Sequence, residues 1–222
     1  MATVIQSGTN SIDQPITLGS PVTAGNALIA IFLYRFDVDV TVSDNRSNTY
    51  ESPLGYIYTA GSESTVKIIF CANTAAGSTT LTPGGAASLG GGSWVAMEVS
   101  GLATSSIVDA SAEIGILDTT APYEPGVNVT ATQANTFLVV GISDMQNNGN
   151  TCTGVAGDIT SFSHLASGRA YGYATLASSG VKNAALTFNG PDTYAVQAYA
   201  FAPAGGGGGG QGSAIMSWLV FN

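Results

Sequence analysis

Three stretches of this chain recur later in the same order, and that duplication restricts the fold more than any other feature of the sequence. Ala24-Gly25-Asn26-Ala27-Leu28-Ile29-Ala30 aligns with Gln133-Ala134-Asn135-Thr136-Phe137-Leu138-Val139. Lys67-Ile68-Ile69-Phe70-Cys71-Ala72 aligns with Arg169-Ala170-Tyr171-Gly172-Tyr173-Ala174, and Trp94-Val95-Ala96-Met97 with Tyr194-Ala195-Val196-Gln197. The separation shrinks from 109 residues (Ala24 to Gln133) to 100 (Trp94 to Tyr194), so the loops differ while the strand order is kept.

The repeated unit is made of strands. Segments of strand length recur throughout, punctuated by Gly, Asn, Asp and Pro, and no stretch carries capped helical periodicity. Residues 27–33 are apolar without interruption, as in a strand covered on both faces or held at a subunit contact. In 93–100 the residues alternate: Trp94, Ala96 and Glu98 share one face, and Val95, Met97 and Val99 share the other, which is the better core face. Half a sandwich cannot bury its apolar face alone. The sequence therefore predicts an all-β, jelly-roll-like antiparallel β-sandwich over residues 1–203, built from two Greek-key-like halves at about 20–102 and 130–203. Two small sandwiches in tandem are the competing arrangement.

Beyond the repeats stand six glycines, Gly205 to Gly210, within a Gly-rich linker at 204–213, and then an uncharged segment at 214–222. The linker has an r.m.s. reach of roughly 15–20 Å. Ile215, Met216, Trp218, Leu219, Val220 and Phe221 read as a docking strand that seeks a sheet edge, in its own subunit or the next. Trp218, Leu219, Val220 and Phe221 would each gain roughly 1.5–3 kcal/mol on full burial. The segment falls well short of the ~20 apolar residues that span a bilayer, so no membrane anchor is expected.

Charge excludes other roles. Five Lys and Arg against fourteen Asp and Glu give a net charge of −9, and the cations are scattered, so no basic stripe awaits nucleic acid. Charged residues are only 9 % of the chain, a composition common in proteins packed against neighbours or outside cells. The first ten residues contain neither a basic nor an apolar signal region, which predicts synthesis in a cytoplasm. Cys71 and Cys152 read as two buried thiols acting as small apolar residues, although one disulfide is permitted.

The succession of Ala24-Gly25-Asn26 before an apolar strand, Val42-Ser43-Asp44-Asn45 to Asn48-Thr49-Tyr50, Val66-Lys67-Ile68-Ile69-Phe70, and Trp94 through Leu102 resembles a β-sandwich module of bacterial surface proteins and phage structural proteins. The resemblance covers about residues 20–120, with a degenerate echo to 203. Such modules serve as decoration, adhesion and spacer units, so the motif speaks to fold. Joined to the lack of a signal region, the resemblance leads to the expectation of a non-enzymatic, homo-oligomeric virion protein, by analogy of the capsid cement or decoration kind, made in the host cytoplasm and bound to the major capsid protein or other virion subunits. A carbohydrate- or receptor-binding module of a tail fibre or cell surface is the alternative, with Tyr56 and Tyr58 as ligand-binding residues.

Groups with chemical potential are sparse, and no catalytic residue or cofactor is expected. His164 is the only histidine and lacks a nucleophile elbow. Carboxylates pair in sequence at Asp37 with Asp39 and at Asp109 with Glu113, as a glycosidase would require. Asp37, Asp39, Asp44 and Asn45 supply hard oxygen atoms without EF-hand spacing; solvated turn carboxylates are the simpler reading, and no metal is expected. Gly84-Gly85 and Gly90-Gly91-Gly92 lack the lysine and helix of a phosphate loop.

Overall fold

The computed structural model describes residues 1–59, 63–77, 80–85, 91–144 and 149–205. Among them the chain is all-β, with sixteen strands and no helix. The first eight are β1 (Thr3–Ser11), β2 (Ile16–Thr17), β3 (Ala27–Arg35), β4 (Thr41–Asp44), β5 (Ile57–Thr59), β6 (Ser64–Cys71), β7 (Thr80–Gly84) and β8 (Gly92–Ser100). The second eight are β9 (Val108–Asp118), β10 (Gly126–Ala131), β11 (Phe137–Ser143), β12 (Cys152–Gly157), β13 (Ser161–Ala166), β14 (Arg169–Thr175), β15 (Gly180–Phe188) and β16 (Asp192–Phe201).

Each half forms two antiparallel sheets. The first half has the order β1-β8-β3-β6-β5 in one sheet and β2-β7-β4 in the other; the second has β9-β16-β11-β14-β13 and β10-β15-β12. Adding eight to each strand number of the first half reproduces the second. The pairings β1–β8, β2–β7 and β3–β6 are those of a jelly roll. The fourth, β4 with β5, is absent, because β5 joins the edge of β6 instead.

Four layers result. The two five-stranded sheets pack face to face in the middle, and each three-stranded sheet covers one outer side. The central core draws Ile29, Ile31, Leu33, Ile68, Phe70, Val95 and Met97 from the first half, and Phe137, Val139, Tyr171, Tyr199 and Phe201 from the second. Phe70 meets the Tyr199 and Phe201 rings edge-on, at centroid distances of 5.8 and 5.2 Å. Two outer cores lie between each large sheet and its own small one, around Phe32, Trp94 and Leu81 in the first half and Leu138, Leu186 and Tyr194 in the second.

This layering explains the uninterrupted 27–33 run. Odd residues of β3 face the central core and even residues the outer one. It also buries both faces of β8. Val95, Met97 and Val99 lie in the central core as expected, but Trp94 and Ala96 are equally buried in the outer one. Glu98 shares that face, and its carboxylate accepts bonds from Gln6 Nε2 (2.7 Å), the Thr23 N–H (2.9 Å) and Asn26 Nδ2 (2.6 Å).

The large sheets face each other in opposite order. β3 lies over β11, β6 over β11 and β16, and β5 over β16 and β9, while β8 approaches β13 and β3 approaches β14. Swapping the halves returns β3–β11 to itself and turns β6–β11 into β14–β3 and β5–β16 into β13–β8, the pattern of an approximate two-fold axis passing between β3 and β11. The β6–β16 and β5–β9 approaches are closer than their swapped equivalents, so the symmetry is imperfect. Near it, a Cβ on Gly141 would come within 2.7 Å of Ile31 Cγ2 and 3.0 Å of Val66 Cγ1, so the absence of a side chain permits the close approach.

One polar link crosses the same interface. β5 pairs with β6 only as far as Val66, and Glu51 bridges Phe70, so the backbone of Ile68 between them has no strand partner on that side. The Ile68 N–H donates to Oε1 of the buried Gln197 at 2.7 Å, and Ser52 Oγ donates to the Ile68 carbonyl at 2.8 Å. Gln197 Nε2 in turn donates to Glu113 Oε2 at 3.0 Å. A side chain of one half thus completes the hydrogen bonding of the other.

The correspondence between halves differs by one residue from the sequence alignment in two strands. Leu28 and Leu138 both face outer cores, whereas Phe137, which the alignment sets opposite Leu28, faces the central core. Likewise Phe70 and Tyr173 both lie against the central core, although the alignment sets Phe70 opposite Gly172. Strand faces fix the register: a one-residue slip would turn every side chain to the wrong side.

Candidate functional site

The two halves share strand order but differ between the fourth and fifth strands. In the second half, residues 158–160 connect β12 to β13 directly. Ile159 is buried there, and its Cγ2 stands 2.7 Å from where a Cβ on Gly172 would project, so it fills the space above β14. His164 closes the gap, its Nδ1 accepting from the Cys152 N–H at 3.4 Å. In the first half residues 45–56 make this connection, and they leave the corresponding space open.

A groove of about 490 Å³ results. Its floor is the inner face of β6 at Lys67 and Ile69, one wall is β4 from Thr41 to Asp44, and the other runs from Ser47 to Ser52. Among the described residues β4 pairs only with β7, so no strand lies along its groove side. The Asn45 N–H donates to the Thr80 carbonyl at 3.3 Å. By the alternation of an antiparallel ladder, Ser43 then turns its backbone groups toward β7, and Val42 turns its own toward the groove.

The far wall is held by Asp44. Its Oδ1 accepts from the Arg46 N–H (2.8 Å) and Asn48 N–H (3.2 Å), and its Oδ2 from Asn48 Nδ2 (2.6 Å) and Tyr50 OH (2.7 Å). Partial burial raises the carboxyl pKa, but the bonds from Asn48, Tyr50 and Arg46 outweigh it and hold Asp44 below the usual aspartate range. Burial, then the bond to Asp44, pushes the Tyr50 hydroxyl far above the usual tyrosine range, so it remains a neutral donor. On the floor, the buried Lys67 donates from Nζ to Asp39 Oδ1 at 2.5 Å and to the Val40 carbonyl at 2.7 Å. Its charge is paired, and its stem forms part of an apolar floor.

The residues singled out by sequence are dispersed. Asp37 accepts from Tyr56 OH at 2.8 Å, Asp39 pairs with Lys67, and Asp44 holds its turn, so these three carboxylates serve three separate contacts. No cluster of three or more His, Cys, Asp or Glu suited to a metal ion occurs among the described residues. Asp109 accepts from the Thr132 N–H at 2.7 Å and from its hydroxyl, while Glu113 is bound by Gln197; four residues apart along β9, the two stand about 13 Å apart. Cys71 and Cys152 are free and buried in different outer cores. Burial pushes both thiols up, Cys152 to about 11.

Tyr58 belongs to β5 and Tyr56 precedes it. Ile215, Met216, Trp218, Leu219, Val220 and Phe221 lie outside the described residues, as does Gly90. The groove residues Tyr50, Asn48 and Lys67 were not singled out by sequence. The signal for them is the length of 45–56 against 158–160, which emerges only when the halves are compared strand by strand.

A second feature separates the halves. β1 and β9 are equivalent edge strands; β1 has one exposed apolar residue, Ile5, which sits at a bulge between Val4 and Gln6, and from Gln6 to Ser11 it carries no apolar side chain, which blunts an edge. β9 pairs in regular register with β16 from Ala110 to Asp118 and leaves Ile114 and the 67 %-exposed Leu117 at the surface. No family model matches this chain, and no curated protein matches it in sequence.

Proposed function

We propose that this protein is a non-enzymatic structural subunit of a larger assembly, in the form its sequence resembles: a capsid cement or decoration protein of a virion. It self-associates and grips neighbouring subunits, the major capsid protein among them, through open sheet edges and the apolar segment at 214–222. The observation that supports this reading is β9. A long edge strand in regular register from Ala110 to Asp118, with Ile114 and Leu117 exposed, is a template for another chain, and a protein that kept it solvent-exposed would invite aggregation. Its counterpart β1 is bulged at its one exposed apolar residue, Ile5, and lacks apolar side chains beyond it, so the difference is one of use rather than fold.

The test places a charge on that edge. Leu117→Lys and Ile114→Lys are expected to leave the thermal transition intact and to lower both the oligomer size in sedimentation and the occupancy on purified particles. Unchanged occupancy and unchanged oligomer size would refute the reading. Tyr56 supports a second one, because Asp37 fixes the hydroxyl of its half-buried ring, as in a carbohydrate contact. Glycan-array binding lost in Tyr56→Ala or Tyr58→Ala would select that alternative.

A further inference from the structure

Among the described residues the small sheet of the first half ends at β4 with an open edge, and the groove beside it occupies the place that Ile159 and His164 fill in the second half. The open edge over a floor of Ile69 and the Lys67 stem, between largely polar walls, is the shape of a missing strand. We propose that segment 214–222 of this chain, its own copy's or a neighbour's, is that strand and adds to β4 above Ile69. This inference rests on the assembly reading and names the edge that the segment uses.

Three observations select this occupant. The first is chemistry: 214–222 contains no charged side chain, and of the charged groups lining the groove Glu51 stands at the rim, Asp44 is held by Asn48, Tyr50 and Arg46, and Lys67 is paired with Asp39 outside it. An uncharged strand meets no like charge and displaces no ion pair, and its apolar side chains match Val42, Ile69 and the Lys67 stem. The second is backbone: the β4 edge supplies Val42's N–H and C=O for main-chain pairing, the basis of β-augmentation. The third is reach. The chain leaves the fold where the Ala204 N–H donates to the Gly101 carbonyl at 2.8 Å, just past the end of β8. Ile69 pairs across β3 with the level of Ala96. That is two strands across, five residues along and one sheet spacing outward from Gly101, roughly 22 Å in all, close to the r.m.s. linker reach of roughly 15–20 Å and well within its extended length of roughly 33 Å.

The chain carries its own probe. Of its two tryptophans, Trp94 is fully buried against Phe32, so the difference between the full chain and its Trp218→Phe variant isolates Trp218. Acrylamide quenching of Trp218 is expected to be weak in the full chain at assembly concentrations. It should rise toward that of free indole in Val42→Pro, which removes the edge donor, and stay weak in Leu117→Lys. Thr41→Cys combined with Ser217→Cys should cross-link through a short bis-maleimide; the mass of the product tells whether the strand comes from the same copy or another. This measurement leaves the Val42 N–H in place and carries the test if Val42→Pro misfolds by circular dichroism. A shielded Trp218 that ignores Val42→Pro, with no cross-linked product from the double-cysteine variant, overturns the β4 assignment yet leaves the segment's assembly role intact. An exposed Trp218 overturns the β4 assignment too. If deleting 205–222 also leaves particle occupancy unchanged, the segment's role in assembly falls with it.

Discussion

Replacing Gln197 by Met measures how firmly the two halves are joined. Gln197 is fully buried in the central core and is the acceptor for the Ile68 N–H of the other half. Methionine stands at the equivalent place in the first half, Met97, and matches glutamine closely in volume, so the packing change is small. What remains is a buried N–H without an acceptor, which costs about 1–3 kcal/mol. Glu113 loses a donor as well. Burial already raises its pKa and Gln197 opposes that, so the variant's carboxyl moves further up and takes a proton more readily. At about 2–4 °C per kcal/mol for a chain of this size, a loss near 2 kcal/mol lowers Tm by about 4–8 °C. The assay is calorimetry at neutral pH with amide exchange resolved at Ile68. A single transition is expected in both proteins, since both halves build one core, together with faster exchange at Ile68 in the variant. A Tm within about 1 °C of wild type and unaltered Ile68 protection would show that this bond contributes nothing, leaving the interface to apolar contact and to the other links across it, such as the Leu54 N–H to Tyr199 hydroxyl bond.

Further outcomes follow from the site. Asp44→Ala removes the acceptor of four hydrogen bonds and should cost about 1–2 kcal/mol, with the 45–50 backbone losing exchange protection before the rest of the fold. Because the folded pKa of Asp44 is depressed, its contribution is full above the ordinary aspartate value of 3.8 and fades as pH falls through the lower folded value; Asp44→Asn should flatten that acid limb of a stability curve. Burial and the nearby Arg169 lower the His164 pKa, so the fold favours neutral imidazole: stability is whole above 6.5 and declines as pH falls through the folded pKa, with the Cys152 amide resonance moving as His164 Nδ1 gains its proton. Cys71 and Cys152 should resist a thiol reagent at pH 8 until the protein is unfolded; fast labelling of either in the native state would contradict their burial.

The strands were legible because their residues are. The doubly covered β3 announces itself in 27–33, and the duplication is visible in three aligned stretches. What sequence did not yield is register. Alternation identifies a strand's inner face only when the other face is polar, and β3, β6, β11 and β16 are apolar on both. An alignment there slips by one residue without any sign of it. The same property hid the second face of β8, where a glutamate stands among buried neighbours because three donors satisfy it. The groove was invisible for another reason: Lys67, Asp39 and Tyr50 meet only in space, across a connection whose unusual length matters solely by contrast with its counterpart.

The approximate two-fold axis has a consequence for how such a molecule can change. Two identical subunits must present the same residue on both sides of their axis, so any amino acid there is a compromise between two environments. With the halves joined in one polypeptide that obligation disappears. Gln197 can serve where Met97 does not, Gly141 can yield space to Ile31, one outer edge can be blunted while its twin stays sticky, and one gap can be plugged while the other is left open. Covalent joining turns a symmetrical scaffold into one whose two sides can be tuned for different neighbours at the cost of a single set of loops.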